Sequence, residues 1–203
     1  ALSRHRGALS PTRMILTGVA LGTLFSAITS YITVSTSAQN VVGVLFFLLG
    51  NVSAASMGSL IGPAAALGVA CLAAAALTRH LNALMTGDEQ ALALGIDVAR
   101  LRGLLLLVTS LLTGTIVAVA GGIGFVGLVV PHVARILVGA DHRRMLPVTV
   151  LGGGLFLALA DLLARTLAEP TEIPLGILTA FVGAPFFLWL MRRSGAERAG
   201  MGR

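Results

Sequence analysis

The chain has no lysine, one cysteine, one tryptophan and one tyrosine, and only 11% of its 203 residues are charged. Without lysine there is no G-x-x-x-x-G-K-[ST] loop, so no nucleotide is cradled by that motif. The single Cys71 excludes a disulfide framework and a thiolate metal site. It sits in an apolar run and reads as a small buried or lipid-facing residue. A soluble domain carries about a quarter charged residues. A chain this poor in charge, 56% apolar with a mean hydropathy of +0.95, cannot cover a water-facing surface. Lipid must be its solvent. The net charge of +6 comes with no basic stripe interleaved with aromatics, which excludes a nucleic-acid surface.

What remains is long apolar runs rich in glycine and alanine. A bilayer core takes about 20 apolar residues per helix. Six segments qualify, approximately 14–34, 57–78, 103–120, 123–140, 147–164 and 175–191. The shorter stretch VVGVLFFLL, 41–49, is too brief to cross and reads as an interfacial or re-entrant helix. The small residues allow close helix approach, where van der Waals packing supplies the association energy. The expected fold is all-α, a polytopic transmembrane helix bundle of six spans occupying 1–193. A cytoplasmic loop is expected at 79–102 and a cytoplasmic tail at 194–203. The opening ALSRHRGALSPTR is basic and polar, carries no signal-peptide pattern and lacks an initiating methionine, which suggests a missing N-terminus.

Six crossings place both ends on one side. Arg4, Arg6, Arg13, Arg79, Arg100, Arg102, Arg135, Arg143, Arg144, Arg192, Arg193, Arg198 and Arg203 all fall there. Only Arg165 falls opposite, beside Glu169 and Glu172. The excess of positive charge marks the cytoplasmic side. The expected topology is N-in, C-in.

Within GGIGFVGLVVPH, 121–132, Gly122, Gly124 and Gly127 spell G-x-G-x-x-G, the pyrophosphate fingerprint of dinucleotide-binding folds. That motif must follow a strand and open a soluble helix. Here LLLLVTSLLTGTIVAVA precedes it, long enough to be a span, and Asp141 lies in an arginine-rich loop. The glycines instead suit a tight external turn and close packing, and Pro131 a bend in the helix that returns. His132 follows at membrane depth, but no second histidine, cysteine or carboxylate lies within helical reach, which favours a hydrogen-bonded structural role over a ligand or proton relay.

The long stretches GGIGFVGLVVPHVARILVGADHRRMLP and ADLLARTLAEPTEIPLGILTAFVGAPFFLWLMRR resemble the C-terminal half of FecCD-type permeases. These are membrane subunits of bacterial ABC importers for iron–siderophore, haem and cobalamin. LSPTRMILTGVALG and GDEQALALGIDVARLR extend the resemblance over essentially the whole chain. Family members have about ten spans, and the segments here would be the fifth to the tenth. The resemblance implies a bacterial plasma (inner) membrane location and a homodimer with a second permease copy. It implies two ABC ATPase subunits on the cytoplasmic side, which hold ATP and Mg, and a periplasmic or lipid-anchored substrate-binding protein outside. No cofactor is expected in this chain, and it is expected not to be an enzyme itself.

Three functional regions follow. In MTGDEQALALGIDVAR, Thr86 or Asp88 is a plausible N-cap, with Glu89 and Gln90 in the first turn. Ala91, Leu92 and Leu94 make a short apolar face, Gly95 is a natural C-cap, and Asp97 could cap a second short helix running into the next span. The resemblance makes Thr86, Gly87, Asp88, Glu89, Gln90, Ala91, Leu94 and Gly95 the ATPase-coupling element. Outside, Arg165 lies four residues after Asp161 and could pair with it; the resemblance makes Arg165 a docking residue for the binding protein. Ser10, Pro11 and Thr12 match the family's cytoplasmic gate. Ser26, Thr29, Ser30 and Thr33 could line a path, or bond back to their own helix carbonyls.

The expected function is a permease subunit moving an iron–siderophore complex, or haem or cobalamin, into the cytoplasm. An ion-coupled secondary transporter of a small solute is the alternative, but it wants acidic groups at mid-membrane. The only carboxylate in a span, Asp161, lies near the outer end with Arg165 beside it. A membrane enzyme would need a nucleophile–base or metal constellation, which His132 alone does not supply.

Overall fold

A computed structural model of the chain describes residues 4–5, 8–9, 11–53, 55–168 and 172–200. Two short strands, β1 Arg4–His5 and β2 Ala8–Leu9, pair antiparallel with Arg4 opposite Leu9. The other regular elements among the described residues are helices: α1 Pro11–Ser35, α2 Ala38–Leu48, α3 Ile61–Leu84, α4 Asp88–Ala93, α5 Val98–Ala120, α6 Val126–Val138, α7 His142–Thr166 and α8 Leu175–Gly200. Helix is the expected answer for an open chain in hydrocarbon, because every backbone group finds its partner within the segment. Pro11 opens α1 at a position where its missing N–H is not needed.

Among the described residues, four stretches are long and apolar enough to cross a membrane alone: Ile15–Ser35, Ile61–Leu84, Val98–Ala120 and His142–Thr166. The segment expected at 123–140 is different. Its helix α6 has 13 residues, about 20 Å long, against a hydrocarbon core of about 30 Å. The chain covers the remainder with the irregular residues 121–125, seated against the ends of α2 and α8. In α8 the apolar part is Leu175–Leu190, and the helix continues to Gly200 through much of the expected tail. The expected 79–102 loop is also shorter, since α3 runs to Leu84 and α5 begins at Val98.

The irregular segment is held at a junction of backbone groups. The Asn51 N–H donates to the Ala120 carbonyl at 2.9 Å, the Leu175 N–H to Gly50 at 2.8 Å, and the Gly176 N–H to Leu49 at 3.0 Å. The ends of α2 and α5 and the start of α8 therefore meet at one level. Gly121 ends α5 at φ 69°, and a Cβ there would overlap the Phe47 carbonyl oxygen. A Cβ on Gly176 would overlap the Leu49 carbonyl, and one on Gly183 the Phe125 side chain. Phe125, the N-cap of α6, is left-handed at φ 65°. Gly124 and Gly127, by contrast, have open space where a side chain would go.

Around this junction, Ala160, Ala164 and Leu175 form a buried cluster with Val52, Ile123, Leu157 and Leu178 packed on it. α6 lies against α7 and α8, and α3 against α5 and α7. Gly152 and Gly153 of α7 face the Val130 side chain of α6, a close approach that small residues permit. The buried Thr78 and Thr179 hydroxyls return to their own helices, donating to Ala74 and Ala75 and to Gly176 respectively. α1 stands apart, with none of its apolar window buried.

Candidate coupling and docking faces

The arginine-rich end carries α4. Its N-cap is neither Thr86 nor Asp88. Gly87 occupies that position at φ 117°, and its carbonyl accepts the Ala91 N–H at 3.1 Å. The turn that delivers the chain to α4 needs a backbone conformation that side-chain-bearing residues avoid. Thr86 is turned back onto the Ala83 carbonyl at 2.8 Å. Asp88 is the first helical residue, and its carboxylate accepts from the Arg102 guanidinium at 2.8 Å. Both side chains are about half exposed, so the pair adds little stability; its consequence is to fix α4 against α5.

The far end of α4 closes as a Schellman motif. The Gly95 N–H donates to Leu92 at 2.9 Å and the Ile96 N–H to Ala91 at 3.1 Å, with Gly95 left-handed at φ 80°. Ala91, Leu92 and Leu94 do not share one face. Ala91 is fully buried, whereas Leu92 and Leu94 are 58% and 70% exposed. Glu89 and Gln90 are exposed as well. α4 thus has a small inward anchor and presents leucines outward. Asp97 caps α5 itself, accepting the Arg100 N–H at 3.0 Å, so no second short helix intervenes.

Beside α4, Asn82 near the end of α3 clamps the start of α7. Its amide donates to Asp141 at 2.7 Å, and its carbonyl oxygen accepts the His142 N–H at 3.0 Å. The Arg143 N–H and this Asn82 amide hold the Asp141 carboxyl below the usual carboxylate range. Asn82 and Arg102 were not singled out from the sequence. Their partners lie 59 and 14 residues away, which no local pattern reveals.

At the opposite end, Arg165 makes the pair with Asp161 that the four-residue spacing allows, through Nε at 2.9 Å and a terminal nitrogen at 3.3 Å. Its side chain stays 44% exposed. Nearby, the Ser53 hydroxyl donates to Glu172 at 2.7 Å, and Asn51 Oδ1 accepts the Ser53 N–H at 2.7 Å. Sequence reasoning did not anticipate this Asn51–Ser53–Glu172 link, which joins the loop after α2 to the approach to α8.

On α1, Thr12, Ser26 and Ser30 are exposed and Thr29 is partly so; Ser10 lies outside the described residues. Ser26, Thr29, Ser30 and Thr33 fall on one helix face by their spacing. Thr29 donates to the Phe25 carbonyl at 2.9 Å and Thr33 to that of Thr29 at 2.8 Å. The hydroxyl protons of Thr29 and Thr33 are thus satisfied within the helix. His132 on α6 is half-buried with its ring edge toward Phe186, centroids 6.4 Å apart, where a hydrogen-bonded role had been expected. Among the described residues, no group of three His, Cys, Asp or Glu side chains is placed to hold a metal.

An all-helical, polytopic membrane chain with a short exposed helix at one end and a small polar cluster at the other is the class these features define. The model of the FecCD transport family matches residues 1–193, and the chain belongs to that family. It is 43% identical over 194 residues to the cobalamin import system permease protein BtuC of Halobacterium salinarum, covering 95% of this chain and 51% of that protein. It is 40% identical over 188 residues to the hemin transport system permease protein HmuU of Yersinia pestis, covering 93% and 56%. To the Fe(3+) dicitrate transport system permease protein FecD of Escherichia coli it is 41% identical over 184 residues, covering 90% and 57%. An inward-facing structure of a metal-chelate type ABC transporter superimposes with a TM-score of 0.83 at 35% identity, covering 91% of this chain and 60% of that one. The chain spans about half the length of the curated relatives it matches.

Proposed function

We propose that the chain supplies membrane-spanning helices to the permease of a bacterial ABC importer in the plasma membrane. It moves an iron–siderophore complex, or haem or cobalamin, from a substrate-binding protein to the cytoplasm. Two ABC ATPase subunits supply the energy, ATP and Mg being bound there, and a second permease copy completes the path. The observation that carries this reading is α4: buried at Ala91, tied to α5 through Asp88–Arg102, and exposing Leu92 and Leu94 at the arginine-rich end. A short helix anchored on one side and apolar on the other suits a lever seated in a partner. Arg165, half-exposed at the other end, is proposed to meet a carboxylate of the binding protein, fixing orientation more than affinity. Ser10, Thr12, Ser26, Thr29 and Ser30 are proposed as gate and path, the unburied side of α1 supporting that placement.

Reconstitution with the ATPase and the binding protein in proteoliposomes tests the reading. Labelled ferric siderophore, haem and cobalamin are offered in turn, and uptake of one of them should require internal ATP. Uptake that persists without ATP, or follows an imposed proton gradient, replaces this reading with a secondary transporter.

A further inference from the structure

α3, α5 and α7 leave a groove of about 850 Å³ at the arginine-rich half of the bundle. Its walls are apolar, with Leu67 and Cys71 of α3, Leu112 of α5 and Val150 of α7 among them. Its mouth is basic, formed by Arg79, His142 and Arg143. No carboxylate lines it. Among the described residues neither the Arg79 nor the Arg143 guanidinium enters an ion pair. The Asp141 carboxylate, next to His142 in the chain, is engaged by the Asn82 amide and the Arg143 backbone N–H. The groove is therefore amphipathic from end to end, long and apolar inside and cationic at the water boundary.

We propose that this groove binds an anionic phospholipid of the cytoplasmic leaflet. The phosphate sits between Arg79 and Arg143, and an acyl chain lies along α3 and α5. Charge complementarity favours this occupant over a protein helix, which would have to bring its own acid to the mouth. A guanidinium presents a planar fork of donors matched to phosphate oxygens. Basic pockets between helices on the cytoplasmic side have the geometry that captures anionic headgroups, and the volume is that of a small-molecule site, about 300–1,000 Å³, enough for a headgroup and part of a chain. The lipid would wedge α3, α5 and α7 at their inner ends, directly beside the Asn82–Asp141 clamp. Nothing in this step depends on what the permease transports.

The test places the whole permease, assembled with its ATPase and binding protein, in vesicles of three parts phosphatidylcholine to one part phosphatidylglycerol. A trace of phosphatidylglycerol carries a diazirine in its acyl chain, and cross-linked peptides are mapped after irradiation. Adducts are expected on the groove faces of α3, α5 and α7, several-fold above those from a phosphatidylcholine probe of the same design. The R79Q/R143Q double variant should lose about 25-fold of that labelling, about fivefold for each arginine. R192Q, which alters an exposed arginine away from the groove, should leave it unchanged. If the double variant does not fold, R79Q and R143Q singly carry the comparison, each with about fivefold loss expected. Equal labelling by both probes, labelling indifferent to the arginines, or no adduct in the groove because protein fills it would each overturn the proposal.

Discussion

At the scale of single residues, the glycines of GGIGFVG separate into two kinds. Gly121 is fixed by geometry: its φ of 69° suits glycine, and a Cβ would overlap the Phe47 carbonyl. Such backbone strain costs about 1–3 kcal/mol in a side-chain-bearing residue, before the end of α2 is displaced. Gly124 meets nothing within 4 Å. Gly121→Ala should therefore lower the thermal midpoint of the detergent-solubilised chain, with a loss of about 2 kcal/mol or more, while Gly124→Ala stays within about 0.5 kcal/mol. Thermal scanning by size-exclusion chromatography measures both, and equal midpoints would detach the motif from the junction. The sequence made a turn at Gly121 legible because glycine clusters between two apolar runs punctuate helices. It could not reveal Gly176 or Gly183, which look like ordinary helical glycines. Their reasons, the Leu49 carbonyl and the Phe125 ring, lie far away along the chain.

At the scale of elements, α4 shows what a short amphipathic pattern can and cannot convey. Charge in DEQ, apolar residues in ALAL and a following glycine located the helix, because dipole and capping preferences act locally. The same pattern grouped Ala91, Leu92 and Leu94 on one face, which the structure divides. In a six-residue helix, 1.7 turns, no periodicity is established, and only packing against α3 and α5 selects Ala91 as the buried position. The N-cap was misread for a related reason. Thr86 has the right chemistry, but the turn is decided by Gly87 and its left-handed backbone. Two substitutions separate anchoring from docking. Ala91→Leu should overpack a fully buried site and destabilise the chain by about 1–3 kcal/mol. Leu92→Asp, on an exposed side chain, should leave the thermal midpoint unchanged and abolish most ATPase-dependent uptake. Should Leu92→Asp transport normally with its ATPase bound, α4 is not the lever.

At the scale of the whole molecule, charge and packing give independent views of the same arrangement. Asn82, Asp88, Arg102 and Asp141 gather at one end, while Asn51, Ser53, Arg165 and Glu172 belong to the other. The arginines assign the first end to the cytoplasm by the positive-inside rule, although their side chains take little part in holding the bundle together. Orientation is directly measurable because the chain has one cysteine. In a Cys71→Ser background, a cysteine replaces Met57, 87% exposed before α3, or Met85, 49% exposed at its far end. The two positions flank one crossing and must answer oppositely. A membrane-impermeant maleimide applied to intact spheroplasts should label Met57→Cys at once and Met85→Cys only after permeabilisation. The reverse result would put α4 outside, away from any ATPase, and would overturn the coupling role with the topology. Labelling of both without permeabilisation would mean that α3, despite its 24 residues and high hydropathy, does not cross.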